Sequence, residues 1–382
     1  MKQRLPSFVK KSVYWLCYIL SYPVFPILFF YAHQFGELTY LSDKDCKTWR
    51  NAMASLIREC YKAQQNHPLW KIIYTFVFSK ITVIKRTNIV SENIPVVVMC
   101  VKNDLKKMQL LLSHYRRLGV EKFAILDNGS DDGTFDWLKQ QKDVDLFTSF
   151  QKYQRLVKEG WINRIISYYG FDHWYILTDS DELMTFIGME EHTLNDVINY
   201  AGKENIKRFK GLTIDMYSDG VLFEHHDNIL EKYKWFDLDT YAEQETLAGN
   251  FKFRQYIGGP RGRLMKYKVI LSKYPLCFFE EGTVSVSAHY QYPFDLLEPA
   301  ECYMGILHYK FLGEDLAKYT EIANFGLGYW DNGNLYKLSM DYIRKQKQAS
   351  FMYDQSAEYV DSYSLRKIQF IKEMKFVKRS LL

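Results

Sequence analysis

The sequence predicts an α/β fold, a mostly parallel sheet with helices on both faces. Three observations carry this. Short, continuous apolar runs recur between residues 94 and 178, as strands buried on both faces require. Stretches with helical spacing of apolar residues separate them, giving the strand–helix alternation of a parallel sheet. The runs stop abruptly in Asp-, Asn- and Gly-rich clusters, most sharply in "WYILTDSDEL" (174–183), where Asp179, Asp181 and Glu182 crowd one strand end.

Taken in order, residues 12–32 ("SVYWLCYILSYPVFPILFFYA") carry no charge, about the length that spans a bilayer. Lys2, Arg4, Lys10 and Lys11 precede them and would hold the N-terminus on the cytoplasmic side. Pro23 and Pro26 each remove a backbone donor and kink a helix. The expectation is therefore a membrane-associated segment over 1–34 with the main domain on the cytoplasmic face. A single-pass type II chain with a lumenal domain and a buried core helix are the alternatives. Residues 35–93 read as a helical linker region, broken at Pro68.

Pro95 introduces a first strand, Val96–Cys100. Leu105, Met108, Leu111, Leu112, Tyr115 and Leu118 then follow helical spacing, and Gly119 supplies the stop. A second strand at 123–126, a helix over Thr134–Gln141, a third strand at Val144–Phe147, a helix over Gln151–Tyr169 and a fourth strand at 174–178 continue the alternation. This domain extends from 94 to about 310, and a helical region (311–382) follows. At its end "LRKIQFIKEMKFVKRSLL" interleaves Ile368, Phe370, Ile371, Met374 and Val377 with Arg366, Lys367, Lys372, Lys375, Lys378 and Arg379. Such a basic amphipathic helix suits a membrane surface or an edge position on the core.

Composition narrows the class. The chain of 382 residues allows one large domain or two. With 50 basic and 45 acidic residues the net charge of +5 is too balanced to argue for nucleic acid. Six cysteines without a CxxC pair exclude a zinc-finger spacing and read as reduced thiols, which favours a cytosolic face. The sequon Asn128-Gly129-Ser130 falls in a loop better assigned to ligand binding. Aromatics at 17%, with 30 Tyr, suit stacking on sugars or bases as well as ordinary cores.

Ligands of open parallel sheets bind beyond the carboxyl ends of the strands. Those ends are Lys102-Asn103-Asp104, the run Asp127 to Thr134 ("DNGSDDGT"), and Asp179-Ser180-Asp181-Glu182. Asp179 and Asp181, two apart, point to one side of an extended chain, and Glu182 to the other. Converging carboxylates need a counter-charge or a shared proton. Mn²⁺ or Mg²⁺ is the natural partner, and a cation held this way points to a nucleotide diphosphate. A solvated acidic loop or helix cap is the alternative. Gly129 and Gly133 permit tight turns, and Asp127 can accept hydrogen bonds from a base or ribose. A turn with an N-cap at Asp132 or Thr134 is the alternative there.

"VVVMCVKNDLKKMQLLLSHYRRLGVEKFAILDNGSDDGT" followed by "WYILTDSDEL" resembles the family 2-like glycosyltransferases of the GT-A fold, over about residues 94–310. "GGPRGRL" (258–264), "SAHY" (287–290) and "LHYKF" (307–311) are similar to the same branch. The resemblance implies that Asp127 holds the base or ribose, that Asp179 lies near ribose and metal, and that Asp181 ligates the metal directly. Lys102 and Asn103 match positions of the family's Arg-Asn-Glu, with Asp104 replacing Glu. Asn128, Ser130, Asp132 and Ser180 join the donor-binding set. Arg261 and Arg263 are candidates to neutralise diphosphate, or else lie in a solvated turn. His308 is the candidate late metal ligand, with His289 competing. For an inverting transfer, which the resemblance favours, the candidate general base is Glu281, then Glu280, with Asp215 as competitor. Trp161, Trp174 and Trp235 are read as core residues before sugar-stacking ones.

The function expected is a metal-dependent glycosyltransferase of cell-surface polysaccharide or glycoconjugate synthesis. It moves a sugar from a nucleotide-sugar donor to a glycan or lipid-linked acceptor, at a membrane surface, and binds no nucleic acid. A nucleotidyltransferase acting on sugar phosphates is one alternative, although "VVVMCVKND" lacks its glycine-rich signature. A degenerate glycan-binding scaffold is the other, opposed by the intact Asp127, Asp179 and Asp181.

Overall fold

The computed structural model describes residues 26–63, 69–87, 94–298, 301–326, 330–346 and 348–376. Residues 26–35 are helical. Helices α1 (Asp43–Lys62) and α2 (Trp70–Phe78) precede an edge strand β1 (Thr82–Lys85). The alternation then runs β2 (Val96–Val101), α3 (Leu105–Arg117), β3 (Phe123–Asp127), α4 (Thr134–Gln140), β4 (Val144–Thr148), α5 (Arg155–Ile166), β5 (His173–Leu177), β6 (Glu182–Phe186), α6 (Leu194–Glu204) and β7 (Arg208–Asp215). Next come β8 (Trp235–Asp237), the hairpin β9 (Tyr241–Ala248) and β10 (Phe251–Gly258), α7 (Gly259–Met265), β11 (Ser272–Phe279), β12 (Val284–Ser287), β13 (Tyr290–Tyr292) and β14 (Cys302–His308). Helices α8 (Asp315–Phe325) and α9 (Asn334–Lys345) and the short β15 (Ser356–Glu358) complete the set.

The nine-stranded sheet has the order β1-β4-β3-β2-β5-β11-β7-β14-β6. Strands β2, β3, β4, β5, β7 and β14 run one way, and β1, β6 and β11 run against them. The sheet is thus mostly parallel, as expected. The antiparallel β11 inserted at its middle was not foreseen.

Period two divides the core. Val97, Met99 and Val101 of β2 pack with Met108, Leu111, Leu112 and Tyr115 of α3 on one face. Val96 and Val98 pack on the other face with Trp49 of α1, Ile72 and Phe76 of α2, and Trp161 and Ile165 of α5. Helix α3 ends where the sequence predicts, its last turn basic and Gly119 at φ 90° just beyond.

The expected membrane association is corrected. Among the described residues no helix is long and apolar enough to cross a membrane. Residues 1–25, which hold most of the uncharged segment, lie outside the described residues. Within its remainder Phe29 and Ala32 are 1% exposed and belong to the protein's own core, with Phe29 stacked on Phe76. The basic C-terminal helix is corrected as well. Residues 362–367 form a 3-10 turn, a further turn follows over 368–371, closed by the Ile371 amide on the Ile368 carbonyl, and residues 372–376 belong to no helix. Ile368, Ile371 and Met374 are buried in the sheet core, and Ile371 bridges to Cys302. Val377, Lys378 and Arg379 lie outside the described residues. The five described cysteines are free, in line with reduced thiols.

Candidate active site

The parallel strands deliver the predicted loops to one edge, and register does the rest. His308 closes β14 directly opposite Asp215 of β7 on one side and Glu182 of β6 on the other. Lys273 opens β11 at the same edge, because β11 runs antiparallel to β5 with Leu276 opposite Ile176. The cleft therefore gathers Asp179, Asp181, Glu182, Asp215, His308 and Lys273 from the ends of five adjacent strands, β5, β11, β7, β14 and β6, and the turn that joins β5 to β6.

The "DNGSDDGT" loop is tied by its own side chains. Asp127 is 1% exposed, and its Oδ1 accepts the Gly129 and Ser130 amides at 3.0 and 2.9 Å. Its Oδ2 is buried without a hydrogen-bond partner. The Asn103 amide donates to Ser130 Oγ at 2.9 Å, and the Asn103 and Asp131 groups exchange two further bonds. Asn128 donates to the Ser149 and Gln151 carbonyls at 2.6 and 3.1 Å. Asp132 caps two helices: it accepts the Thr134 amide at 3.0 Å and the Leu105 amide at 3.1 Å. Asp132 thus serves the loop's architecture, although the N-cap of α4 is Gly133 and neither Asp132 nor Thr134. Asp104 accepts Ser180 Oγ at 2.7 Å and Lys318 Nζ at 3.1 Å, which binds the first loop to the third and to α8. The Lys102 side chain is exposed, and only its carbonyl takes part, accepting Lys318 at 3.5 Å.

The carboxylate repulsion in "DSDE" is answered by ammonium groups. Asp179 Oδ1 accepts Lys158 of α5, and its Oδ2 accepts Lys273 at 3.1 Å. Burial opposes ionisation, yet these two cations hold the Asp179 carboxyl well below the usual range. Glu182 is 3% exposed, pairs with Lys273, and accepts the Asp179 amide at 3.3 Å. Asp181 Oδ2 lies 3.4 Å from both Lys310 Nζ and His308 Nε2. Burial again opposes ionisation, and Lys310 and His308 outweigh it.

His308 is the hinge of a buried chain. Its Nδ1 meets Asp215 Oδ1 at 2.6 Å, and Asp215 Oδ2 accepts Arg261 Nε at 2.7 Å. Against the cost of burial, Arg261 and His308 keep the Asp215 carboxyl low, at about 2. Burial also works against a charged His308, but Asp181 and Asp215 push its pKa up.

Several sequence expectations change. Glu280 and Glu281 are not brought to the cleft: Phe279 pairs with His173, so the antiparallel β11 carries them to the opposite edge, where they face Lys207 and Lys44. Asp215 is at the cleft, but both of its oxygens are engaged. Arg261 and Arg263 are each paired with a buried carboxylate, Arg261 with Asp215 and Arg263 with Asp237 at 3.0 Å, and do not lie in a solvated turn. His289 sits on the Ser272 carbonyl at 2.8 Å and does not belong to the group of Asp181, Glu182 and His308. Trp161 is fully buried, Trp174 packs on Phe209 and Phe278, and Trp235 pairs with Tyr217. Lys158, Lys273 and Lys310 were missed; only Lys273 stands in an otherwise uncharged element, while Lys158 shares α5 with Arg155, Glu159 and Arg164 and Lys310 follows β14.

A divalent cation fits part of this set. Asp181, Glu182 and His308 offer ligand atoms that all lie within 4.8 Å of one another. Two hard oxygens and an imidazole backed by a carboxylate suit such an ion. Asp179 is outside that group, its oxygens facing the two lysines.

No family model matches the chain, and no curated protein matches it. Among solved structures, the crystal structure of HddC from Yersinia pseudotuberculosis is 14% identical, covers 36% of this chain and 66% of its own, with a TM-score of 0.23. Mannosyltransferase PcManGT from Pyrobaculum calidifontis, in complex with GDP-Man and Mn²⁺, is 13% identical, with 43% and 47% covered and a TM-score of 0.25. TarS of S. aureus, residues 1–349, is 9% identical, with 66% and 72% covered and a TM-score of 0.28. The chain thus spans less than two thirds of the first two. Likenesses at these TM-scores carry no argument about what this chain does.

Proposed function

We propose that this protein is a GT-A-type glycosyltransferase, moving a sugar from a nucleotide-diphosphate sugar to a glycan or lipid-linked acceptor. The observation that carries the reading is Asp127. A carboxylate oxygen buried without a partner costs several times an ordinary hydrogen bond, and Asp127 Oδ2 lies at the strand end where a nucleoside would supply donors. The same edge holds the "DSDE" carboxylates and His308 in reach of a diphosphate.

Each group then has a task. Asp127 accepts from the base or ribose. Asp181 and His308, with Glu182 in reach, would hold Mn²⁺ or Mg²⁺. Such an ion supplies Lewis-acid compensation for charge on the departing diphosphate. Lys158 and Lys273 keep Asp179 ionised and fixed, and Lys310 adds a cation beside Asp181.

Purified protein with Mn²⁺, offered a panel of nucleotide sugars, is expected to release nucleoside diphosphate. Asp181→Ala should cut that release by at least about a hundredfold, an effect of about 3 kcal/mol on the barrier. Asp127→Ala should raise the donor KM more than it lowers kcat. Pyrophosphate release from a sugar phosphate and a nucleoside triphosphate would replace this reading with a nucleotidyltransferase. Sugar binding with no release of either product would leave a scaffold.

A further inference from the structure

The segment "GGPRGRL" directs its first arginine at a buried carboxylate, not at the open face of the cleft. We infer that Arg261 and Asp215 form a positioning pair for His308: the guanidinium fixes the carboxylate, which holds the imidazole by Nδ1 and presents Nε2 beside Asp181 to a divalent cation. The inference rests on the metal reading of the cleft proposed above.

The chain of contacts is continuous. Arg261 Nε donates to Asp215 Oδ2 at 2.7 Å, Asp215 Oδ1 meets His308 Nδ1 at 2.6 Å, and His308 Nε2 faces Asp181 Oδ2 at 3.4 Å. Arg261, Asp215 and His308 are 5%, 2% and 4% exposed, so water does not compete for these bonds. Pairing in register across β7 and β14 sets Asp215 beside His308 without any loop to move them. A histidine whose Nδ1 is engaged by a carboxylate has its ring orientation fixed and its other nitrogen more basic toward a metal.

The glycines explain how Arg261 gets there. Gly258 has φ 113°, and a Cβ on it would lie 2.0 Å from the Thr240 carbonyl oxygen. Gly259 has φ 69°, and a Cβ there would reach 3.6 Å from Asp215 Oδ2. Both glycines take backbone angles that other residues rarely adopt, and the turn they form starts α7 two residues before Arg261, which meets Asp215.

Two comparisons inside the molecule sharpen the assignment. His289, the competing histidine, has a backbone carbonyl at Nδ1 and no carboxylate behind it. Arg263, two residues along the same helix, makes a similar pair with buried Asp237 but does not contact His308. Each Asp215 oxygen already meets one partner of the chain, Arg261 at Oδ2 and His308 at Oδ1.

The test uses the full-length protein and Mn²⁺ alone, titrated by calorimetry and by loss of the free Mn²⁺ paramagnetic resonance signal, with circular dichroism as the check of folding. Wild type should bind Mn²⁺ saturably. Asp215→Asn should weaken binding by about 10- to 100-fold, in company with His308→Ala. Arg261→Lys should weaken it several-fold, and Arg263→Lys should leave it unchanged. A folded Asp215→Asn protein that binds Mn²⁺ as wild type does would overturn the inference. So would Arg263→Lys weakening binding as much as Arg261→Lys. If Asp215→Asn does not fold, unchanged affinity in Arg261→Lys overturns it alone. A wild type that takes no Mn²⁺ yet releases nucleoside diphosphate defeats the positioning pair and leaves the transferase standing. Weakened Mn²⁺ binding in Asp215→Asn, with no release from any donor, upholds the pair and defeats the transferase.

Discussion

Lys273 decides the electrostatics of the cleft. Its side chain is 9% exposed and lies between Asp179 and Glu182, whose own side chain is 4% exposed. Removing one partner of a buried pair leaves the other charge uncompensated, at a cost of about 3 to 5 kcal/mol. Lys273→Met should therefore lower unfolding stability in urea by about 3 kcal/mol, and adding Glu182→Gln should restore part of it. A double-mutant cycle in which the two losses simply add would show that the pair is not coupled. Residues of this kind mark the limit of the sequence. Asp127, Asp179 and Asp181 are legible because a carboxylate at the end of an apolar run has no packing reason to be there. Lys158 and Lys273 look like solvated positions until α5 and β11 are placed. Glu280 and Glu281 mislead for the converse reason: a plausible chain distance says nothing of which end of an antiparallel strand they occupy.

At the scale of elements, α5 shows how packing overrides pattern. Ten of its twelve residues, Leu156, Val157 and Glu159 to Ile166, are buried, so no apolar stripe marks one face. It fits between the sheet and α2 because of Gly160. A Cβ there would lie 2.3 Å from Thr75 Cβ and 2.8 Å from the Ile72 carbonyl oxygen, so a backbone, not a flexible tip, stands in the way. Gly160→Ala should gain helix propensity yet destabilise the protein by about 1 to 3 kcal/mol, the range for overpacking. Urea unfolding measures the sign, and a stabilised variant would contradict the close approach of α2 and α5. The first four parallel strands are legible because each is a short apolar run set between helical stretches, whatever strand it pairs with. Strands β11, β7 and β14 are not, since their order depends on long-range pairing that no local run encodes. The C-terminal strap is misread for a related reason. Ile368, Ile371 and Met374 serve the core from a turn and an irregular segment, while the lysines between them mimic an amphipathic helix. Ile368→Ala should accordingly cost about 2 to 5 kcal/mol, whereas a residue on a surface helix would cost little.

For the whole molecule, acid sensitivity follows from two kinds of buried group that act in different pH windows. His114 of α3 is 3% exposed and bonds the Met184 carbonyl at 2.7 Å. Burial pushes its pKa down from 6.5 to about 4, with the Met184 bond working the other way. Between those values the unfolded chain takes up a proton that the folded chain refuses. Stability therefore falls as pH drops through that window, by up to about 3 kcal/mol, and this loss levels off below about pH 4. Asp215 acts lower. Its carboxyl moves from 3.8 to about 2 despite burial, because Arg261 and His308 favour the charged form. Its stabilisation is complete above 3.8 and is lost as pH falls from there towards 2. Acid unfolding should thus proceed in two steps. His114→Gln, which can still meet the Met184 carbonyl, should shrink the first step without touching the second. It should not abolish that step, because burial also pushes His289 down to about 4. Asp215→Asn should shrink the loss below pH 4 without removing it, because Asp179 and Asp181 are also held low, and it should leave the His114 contribution in place. Urea midpoints followed from pH 7.5 to 2 would separate them, and a His114→Gln protein with an unaltered first step would refute the assignment of that window to buried neutral histidine.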